Sequence, residues 1–77
     1  MDIKELDRKA TGENIKRLMR KKGLTTLDLQ IALKLNSPAT IYSWTQGKYS
    51  PNADGLVRLA SIFECKIDDI LVLEDKE

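Results

Sequence analysis

Apolar residues recur along this chain at spacings of three and four, and no segment alternates between apolar and polar positions as a strand would. In the first such segment, Ile15, Leu18 and Met19 form one face. Thr11 precedes them as a candidate N-cap, and a glycine follows the last basic residues of the segment. The pattern therefore predicts a first helix over about residues 12–22.

A second helix is predicted over about residues 26–34, with Thr25 or Thr26 as its N-cap. The turn that follows it, residues 34–36, contains no glycine. We expect Lys34, Leu35 and Asn36 to form a turn, in which Asn36 tolerates a left-handed conformation.

A short third helix is predicted over about residues 38–46. Ser37 is a favourable N-cap, and Pro38 suits the first helical position because no amide donor is needed there. Ile41 and Trp44 lie three residues apart and are expected to face the core. We expect Trp44 to anchor this helix rather than to contact a ligand.

Two more helices are predicted over about residues 53–64 and about residues 67–73. Five short helices predict an all-α fold, a compact bundle in which the second and third helices form a helix-turn-helix. Residues 1–10 have no clear core face and are predicted to be a frayed turn or an N-terminal arm. Residues 11–73 would then form the domain, and residues 74–77 an acidic tail.

The charges of the chain are unevenly distributed although its net charge is only +1. Residues 1–23 carry eight Lys/Arg and four Asp/Glu, whereas residues 51–77 carry three and seven. This asymmetry suggests an anionic partner that is contacted from one side. The first ten residues are too charged for a signal peptide, and no apolar run approaches membrane-spanning length, so a cytoplasmic protein without membrane contact is expected.

Catalytic and metal-binding chemistry finds little support in the composition. The chain has no histidine, a single cysteine (Cys65) and no glycine-rich phosphate loop. One cysteine cannot form an internal disulfide, and we expect Cys65 to be a small buried apolar side chain. The sequence therefore predicts a protein that is not an enzyme and that has no cofactor, metal or small-molecule ligand.

The third helix carries groups that suit contact with DNA bases. In a helix-turn-helix, the N-terminal half of the second helix of the motif enters the major groove, so its outer face must be slim and must offer hydrogen-bonding or methyl groups. Ala39, Thr40, Tyr42 and Ser43 meet these demands and are the predicted base contacts.

Several segments resemble the Cro/C1-type (XRE-like) helix-turn-helix family of bacterial and phage regulators: GLTT at 23–26, TIYSWTQGK at 40–48, Pro51, and LVRLASIFECKIDDIL at 56–71. The resemblance covers roughly residues 12–73 and implies a lambda-repressor-like DNA-binding domain. The family usually has a glutamine at the start of the second helix, where this chain has Thr26, and an Arg–Glu pair where this chain has Met19 and Thr45.

Taken with the resemblance, the sequence predicts a small transcriptional regulator, a repressor, that binds double-stranded DNA as a homodimer formed in solution or only on DNA. The predicted phosphate contacts are Thr25, Thr26, Lys48 and Arg17. The acidic C-terminal segment, with apolar Ile70, Val72 and Leu73, is the expected dimer interface.

An alternative from another functional class is a protein-interaction module on the same fold, such as an antitoxin-like or anti-repressor partner. Two observations favour it: the chain is nearly neutral overall, and the outer face of the third helix lacks the Arg, Gln or Asn that make bidentate base contacts.

Overall fold

The computed structural model describes residues 3–74. Within that range the chain forms four α-helices and one short 3-10 turn, which confirms the predicted all-α fold but not the count of five helices. The elements in chain order are α1 (Arg8–Lys22), α2 (Thr26–Ala32), α3 (Ala39–Thr45), α4 (Ala53–Phe63) and the 3-10 turn Ile67–Asp69. Within residues 3–74, no helix is both long enough and apolar enough to cross a bilayer.

Helix α1 begins four residues earlier than the sequence predicted. Its N-cap is Asp7, whose carboxylate accepts a hydrogen bond from the N–H of Ala10 at 2.9 Å. Thr11 is therefore not the cap but a buried residue inside the helix. The predicted end is correct, because Gly23 adopts a left-handed conformation (φ 68°) and donates to the carbonyl of Arg20.

The two ends of the described chain lie side by side. The N–H of Asp7 donates to the carbonyl of Val72, and the N–H of Glu74 donates to the carbonyl of Glu5, both at 2.8 Å. The hydroxyl of Thr11 accepts from the N–H of Val72 at 2.9 Å. Within the predicted N-terminal arm, residues 1–10, residues 5–7 thus pair with the C-terminal segment and residues 8–10 belong to α1. The remainder of that arm, residues 1–2, and residues 75–77 of the predicted tail lie outside the described residues.

Helix α2 starts as predicted and ends two residues early. Thr25 and Asp28 form a capping box: the Asp28 N–H donates to the Thr25 hydroxyl at 3.1 Å, and the Thr25 N–H donates to the Asp28 carboxylate at 2.8 Å. The left-handed residue after the helix is Lys34 (φ 56°), not Asn36. The chain reverses at Lys34 because the N–H groups of Lys34 and Leu35 close the helix end on the carbonyls of Ile31 and Gln30, which requires a left-handed residue at position 34.

Helix α3 starts at Ala39, one residue later than predicted, with Pro38 rather than Ser37 at the N-cap position. The Ser37 hydroxyl still accepts from the Ala39 N–H at 3.1 Å, so it satisfies one donor of the helix start. Gly47, in a left-handed conformation (φ 76°), follows the helix as predicted.

Helices α1 and α3 approach each other closely at two glycines. A Cβ atom on Gly12 would stand 2.4 Å from the carbonyl oxygen of Trp44 and 2.8 Å from that of Thr45. A Cβ on Gly47 would stand 2.7 Å from the Cα of Lys9. At these two contacts the backbone at the end of α3 lies directly against the backbone of the first half of α1, and this fixes the position of α3.

The last predicted helix, about 67–73, is replaced by the 3-10 turn and an extended segment. Ile70 is completely buried, and the residues after it are held extended by their pairing with residues 5–7, which is incompatible with a continuing helix. Helix α4 is close to its predicted bounds, with Asn52 as N-cap and Glu64 in a left-handed conformation at its end.

The core is mostly aliphatic and draws on all four α-helices. Its buried apolar members are Ile15, Leu18, Met19, Leu29, Leu33, Ile41, Trp44, Leu59, Phe63 and Ile70. Trp44 is 9% exposed, which agrees with the expected anchoring role in α3. Ile70 belongs to this core, so it is not available to the predicted dimer interface.

Candidate nucleic-acid interface

Helix α3 has one buried face and one face open to solvent. Ile41, Trp44 and Thr45 are buried, whereas Ala39 and Thr40 are exposed. The helix is amphipathic because its apolar residues recur three apart and the residues between them are small or hydroxylated. Of the four predicted base contacts on this helix, Ala39, Thr40 and Tyr42 are exposed and Ser43 is half-buried.

The exposed face of α3 is bordered on one side by a groove that we call the Tyr42 groove. It has a volume of about 440 Å³ and runs between α1, the start of α2 and α3. Its floor is apolar and its rim carries two cations, hydroxyls and one amide. The lining residues are Lys16, Met19, Arg20, Leu24, Thr25, Thr26, Tyr42, Thr45 and Gln46.

A second groove, the Thr40 groove, borders α3 on the other side. It has a volume of about 290 Å³ and lies between the turn after α2, α3 and the start of α4. Its lining residues are Leu33, Leu35, Thr40, Trp44, Asn52, Asp54, Gly55 and Arg58. The two grooves leave Ala39 and Ser43, four residues apart, on the ridge between them.

The hydroxyl of Ser43 is already engaged as a donor. Its Oγ donates to the carbonyl of Ala39, one helical turn earlier, at 3.0 Å. The lone pairs of the oxygen remain, so Ser43 offers an acceptor to a ligand rather than a donor.

Gln46 is a residue of this face that the sequence analysis missed. It is exposed, follows Ser43 by three positions and lines the Tyr42 groove. The statement that the face lacks an amide side chain was therefore wrong. Helical spacing from Ala39 and Ser43 was the signal that could have found it, because residues three and seven further on share a face.

Two of the four predicted phosphate contacts lie together at the start of α2. Thr25 and Thr26 both line the Tyr42 groove, with the Thr25 hydroxyl committed to the capping box as an acceptor. Lys48 is exposed beyond the other end of α3, and its Nζ lies 5.9 Å from the centre of the Tyr49 ring.

Arg17 is not brought to this surface. Its Nε donates to the side-chain oxygen of Asn14 at 2.9 Å, and the Asn14 amide in turn donates to the carbonyls of Asp69 and Ile70 at 2.7 and 2.9 Å. The basic residues of α1 that do line the Tyr42 groove are Lys16 and Arg20. Helix periodicity could have indicated them, since both continue the side of α1 on which Gly12 meets α3.

The cations on this rim are weakly held. Lys16 pairs with Glu13 at 3.2 Å, but both side chains are largely exposed, so the pair contributes little to stability and can exchange for another anion. At the start of α2, the backbone N–H and then the hydroxyl of Thr25 lower the pKa of Asp28. The carboxylate therefore stays ionised at neutral pH, next to the two threonines.

Cys65 lies away from this surface, in the turn after α4, and is half-buried. Burial first, and then the charge of Asp69, raise the pKa of its thiol, so it is protonated at neutral pH. Within residues 3–74, no three His, Cys, Asp or Glu side chains stand close enough to hold a metal ion.

Comparison with known proteins agrees with this geometry. A family model described as a Cro/C1-type HTH DNA-binding domain matches residues 14–76, which include all of α2, α3 and α4. The search of curated proteins found no match.

Proposed function

The chain belongs to the Cro/C1-type helix-turn-helix DNA-binding family, and from this premise we propose that it is a sequence-specific repressor of transcription that inserts α3 into the major groove of double-stranded DNA. The observation that carries the proposal is the division of α3 into a buried face, with Ile41 and Trp44, and an outer face of small residues, with Ala39 exposed and Ser43 half-buried. Small outer residues near the start of such a helix let its backbone approach base edges in the major groove.

The chemistry of the exposed face suggests which bases it would read. Ser43 offers an acceptor, which suits the exocyclic amino groups of adenine or cytosine in the major groove. Ala39 and the methyl of Thr40 suit the thymine methyl. Gln46 is one of the side chains that can bind adenine through two hydrogen bonds.

Phosphate contacts on both sides of α3 would set its register. We assign them to Thr26, Lys16 and Arg20 on the Tyr42 groove and to Lys48 beyond the far end of the helix. Thr25 would contribute through its position at the α2 start, where helix N–H groups favour an anion. Arg17 contributes least in this proposal, because it is turned toward Asn14.

We further propose a homodimer, assembled in solution or on DNA, that acts in the cytoplasm on two half-sites about one helical turn apart. A single short helix reads few base pairs, so two copies are needed for useful specificity. Of the predicted interface residues, Leu73 is 51% exposed and Val72 is half-buried, so Leu73 is the apolar side chain that remains available. The role is binding, not catalysis.

The test is selection of binding sites from random DNA, followed by variants of α3 measured on the selected site and on a scrambled site. Tyr42→Ala and Ser43→Ala should each weaken binding to the selected site by about 1–3 kcal/mol and leave binding to scrambled DNA nearly unchanged. Ser61→Ala is the matched control, because the Ser61 hydroxyl donates to the carbonyl of Val57 in the same one-turn geometry on α4. Equal losses on both DNAs would contradict base reading by α3.

One observation favours the alternative of a protein-interaction module. Leu27 and Ile31 lie one turn apart on α2 and are 61% and 67% exposed. Retention on random DNA distinguishes the two functions, since phosphate binding weakens steeply with salt. A salt-independent interaction, or no retention at all, would favour the protein partner.

A further inference from the structure

The turn between α2 and α3 carries no glycine, yet it reverses the chain between the two helices of the motif. Lys34 takes the left-handed conformation, and its N–H donates to the carbonyl of Ile31 at 3.1 Å. The next N–H, that of Leu35, donates to the carbonyl of Gln30 at 3.0 Å. These hydrogen bonds close the end of α2 but do not link the turn to any other element, although Leu33 and Leu35 pack against the core.

The tie to another element comes from Arg58 on α4. Its terminal nitrogen donates to the carbonyl of Leu33 at 2.6 Å, across 25 positions of sequence. Leu33 is the C-cap residue of α2, so this carbonyl belongs to the residue immediately before the reversal. A charged donor on a backbone carbonyl is among the stronger hydrogen bonds of a protein.

Arg58 has a nearby alternative partner that it does not use. Asp54 precedes it by one turn on α4 and lines the same Thr40 groove, but the ion pairs among residues 3–74 are Lys16–Glu13 and Lys22–Glu64. The guanidinium is therefore directed to the turn. It stands in the wall of the groove that also contains Thr40, the second residue of α3.

We propose that Arg58 is a positioning residue for DNA recognition: by holding the Leu33 carbonyl it fixes the turn and with it the pitch at which α3 meets base edges. The proposal rests on the proposed function, since pitch matters only if α3 reads DNA. Arg58 itself contacts neither base nor phosphate in this role. Removing it should lower the preference for the correct sequence without lowering general affinity for DNA.

The experiment compares the wild-type chain with Arg58→Met, which keeps an apolar stem and removes the donor. Binding is measured at several salt concentrations on the site selected by the wild type and on a scrambled duplex. Affinity for the selected site should fall about tenfold, while affinity for the scrambled duplex and the salt slope should stay unchanged. Lys66→Met is the control for lost charge, because Lys66 is exposed and lies beyond the other end of α4.

The alternative for Arg58 is a phosphate contact, and it predicts a different result. Affinity would fall alike on both duplexes, and the salt slope would drop by about one unit.

Backbone amide NMR shifts of free Arg58→Met add a second measurement that requires no DNA. Those of residues 33–37 should move while those of residues 61–63 should not, and unmoved shifts in the turn would overturn the inference.

Failure of the two proposals can be told apart. A wild-type chain with no preference for any selected duplex would overturn the proposed function and this inference with it. A wild-type preference that is retained in full by Arg58→Met would overturn only the positioning role of Arg58.

Discussion

Gly12 is the position where a single methyl group should test how α1 and α3 are packed. In Gly12→Ala the new Cβ would lie 2.4 and 2.8 Å from two carbonyl oxygens of α3, whereas ordinary contact begins near 3.4 Å. Because both obstacles are backbone atoms, no side-chain rotation can relieve them. Helix α3 would have to move away from α1 by about 1 Å, loosening the packing of Trp44.

The magnitude follows from two opposing effects. Overpacking of this kind costs about 1–3 kcal/mol, and rigid backbone obstacles place Gly12 at the upper end. Alanine recovers about 1 kcal/mol through its better helix propensity. The net loss should be about 2 kcal/mol, which corresponds to a fall in Tm of roughly 10 °C for a domain of this size.

The assay is thermal and urea unfolding followed by circular dichroism and by Trp44 fluorescence. Gly55→Ala is the matched control, since it also adds a methyl to a helical glycine, but its Cβ would lie 3.2 Å from a side-chain oxygen of Asn52 and 3.3 Å from Pro51. These distances are only a few tenths of an ångström short of ordinary contact, so the control should stay within about 1 kcal/mol of the wild type. A Gly12→Ala chain as stable as the wild type would refute the packing argument.

Three further predictions follow from the structure. Lys48→Ala should weaken binding to all DNA sequences alike and lower the salt slope by about one unit; an unchanged slope would show that Lys48 is only solvated. Trp44→Ala should lower the free energy of unfolding, measured by circular dichroism, by about 3–5 kcal/mol, because Trp44 is buried. In the wild type, the fluorescence emission of Trp44 should be blue-shifted and should change little when DNA is added. A red-shifted emission maximum that DNA quenches would place the indole on the binding face. The pKa of Asp28 is lowered in the folded state, so its carboxylate stabilises the fold above its ordinary pKa of 3.8, and this contribution is lost as pH falls through the folded value. Urea melts from pH 6 to pH 2 should therefore show a smaller loss for Asp28→Asn than for the wild type, and identical losses would contradict the capping-box role.

The parts of the fold that depend on local chemistry could be predicted from the sequence. The Thr25 cap, the glycine at 23 and the buried pair Ile41 and Trp44 follow from residue type and spacing, and the structure confirms them. Whether the predicted bases and phosphates are contacted stays a prediction.

What could not be predicted depends on contacts distant in sequence. The helix predicted over about residues 67–73 is absent because residues 72–74 pair with residues 5–7. The turn after α2 is held by a hydrogen bond from Arg58 on α4, 25 positions away in sequence. The choice among the seven Lys and Arg residues of α1 required knowing which side of that helix meets α3, and the contact at Gly12 shows that side.

The pairing of the two chain ends bears on the order in which the domain comes apart. The contacts of residues 5–7 and Thr11 with residues 72–74 span more than 60 positions, whereas each helix closes over four. Closing so long a loop is entropically the most demanding step of assembly, and few apolar side chains support it, so these contacts should form last and open first. Native-state hydrogen exchange should then show the amides of Asp7, Val72 and Glu74 exchanging together through one partial opening. The amides in the middle of α1 and α4 should exchange only through global unfolding.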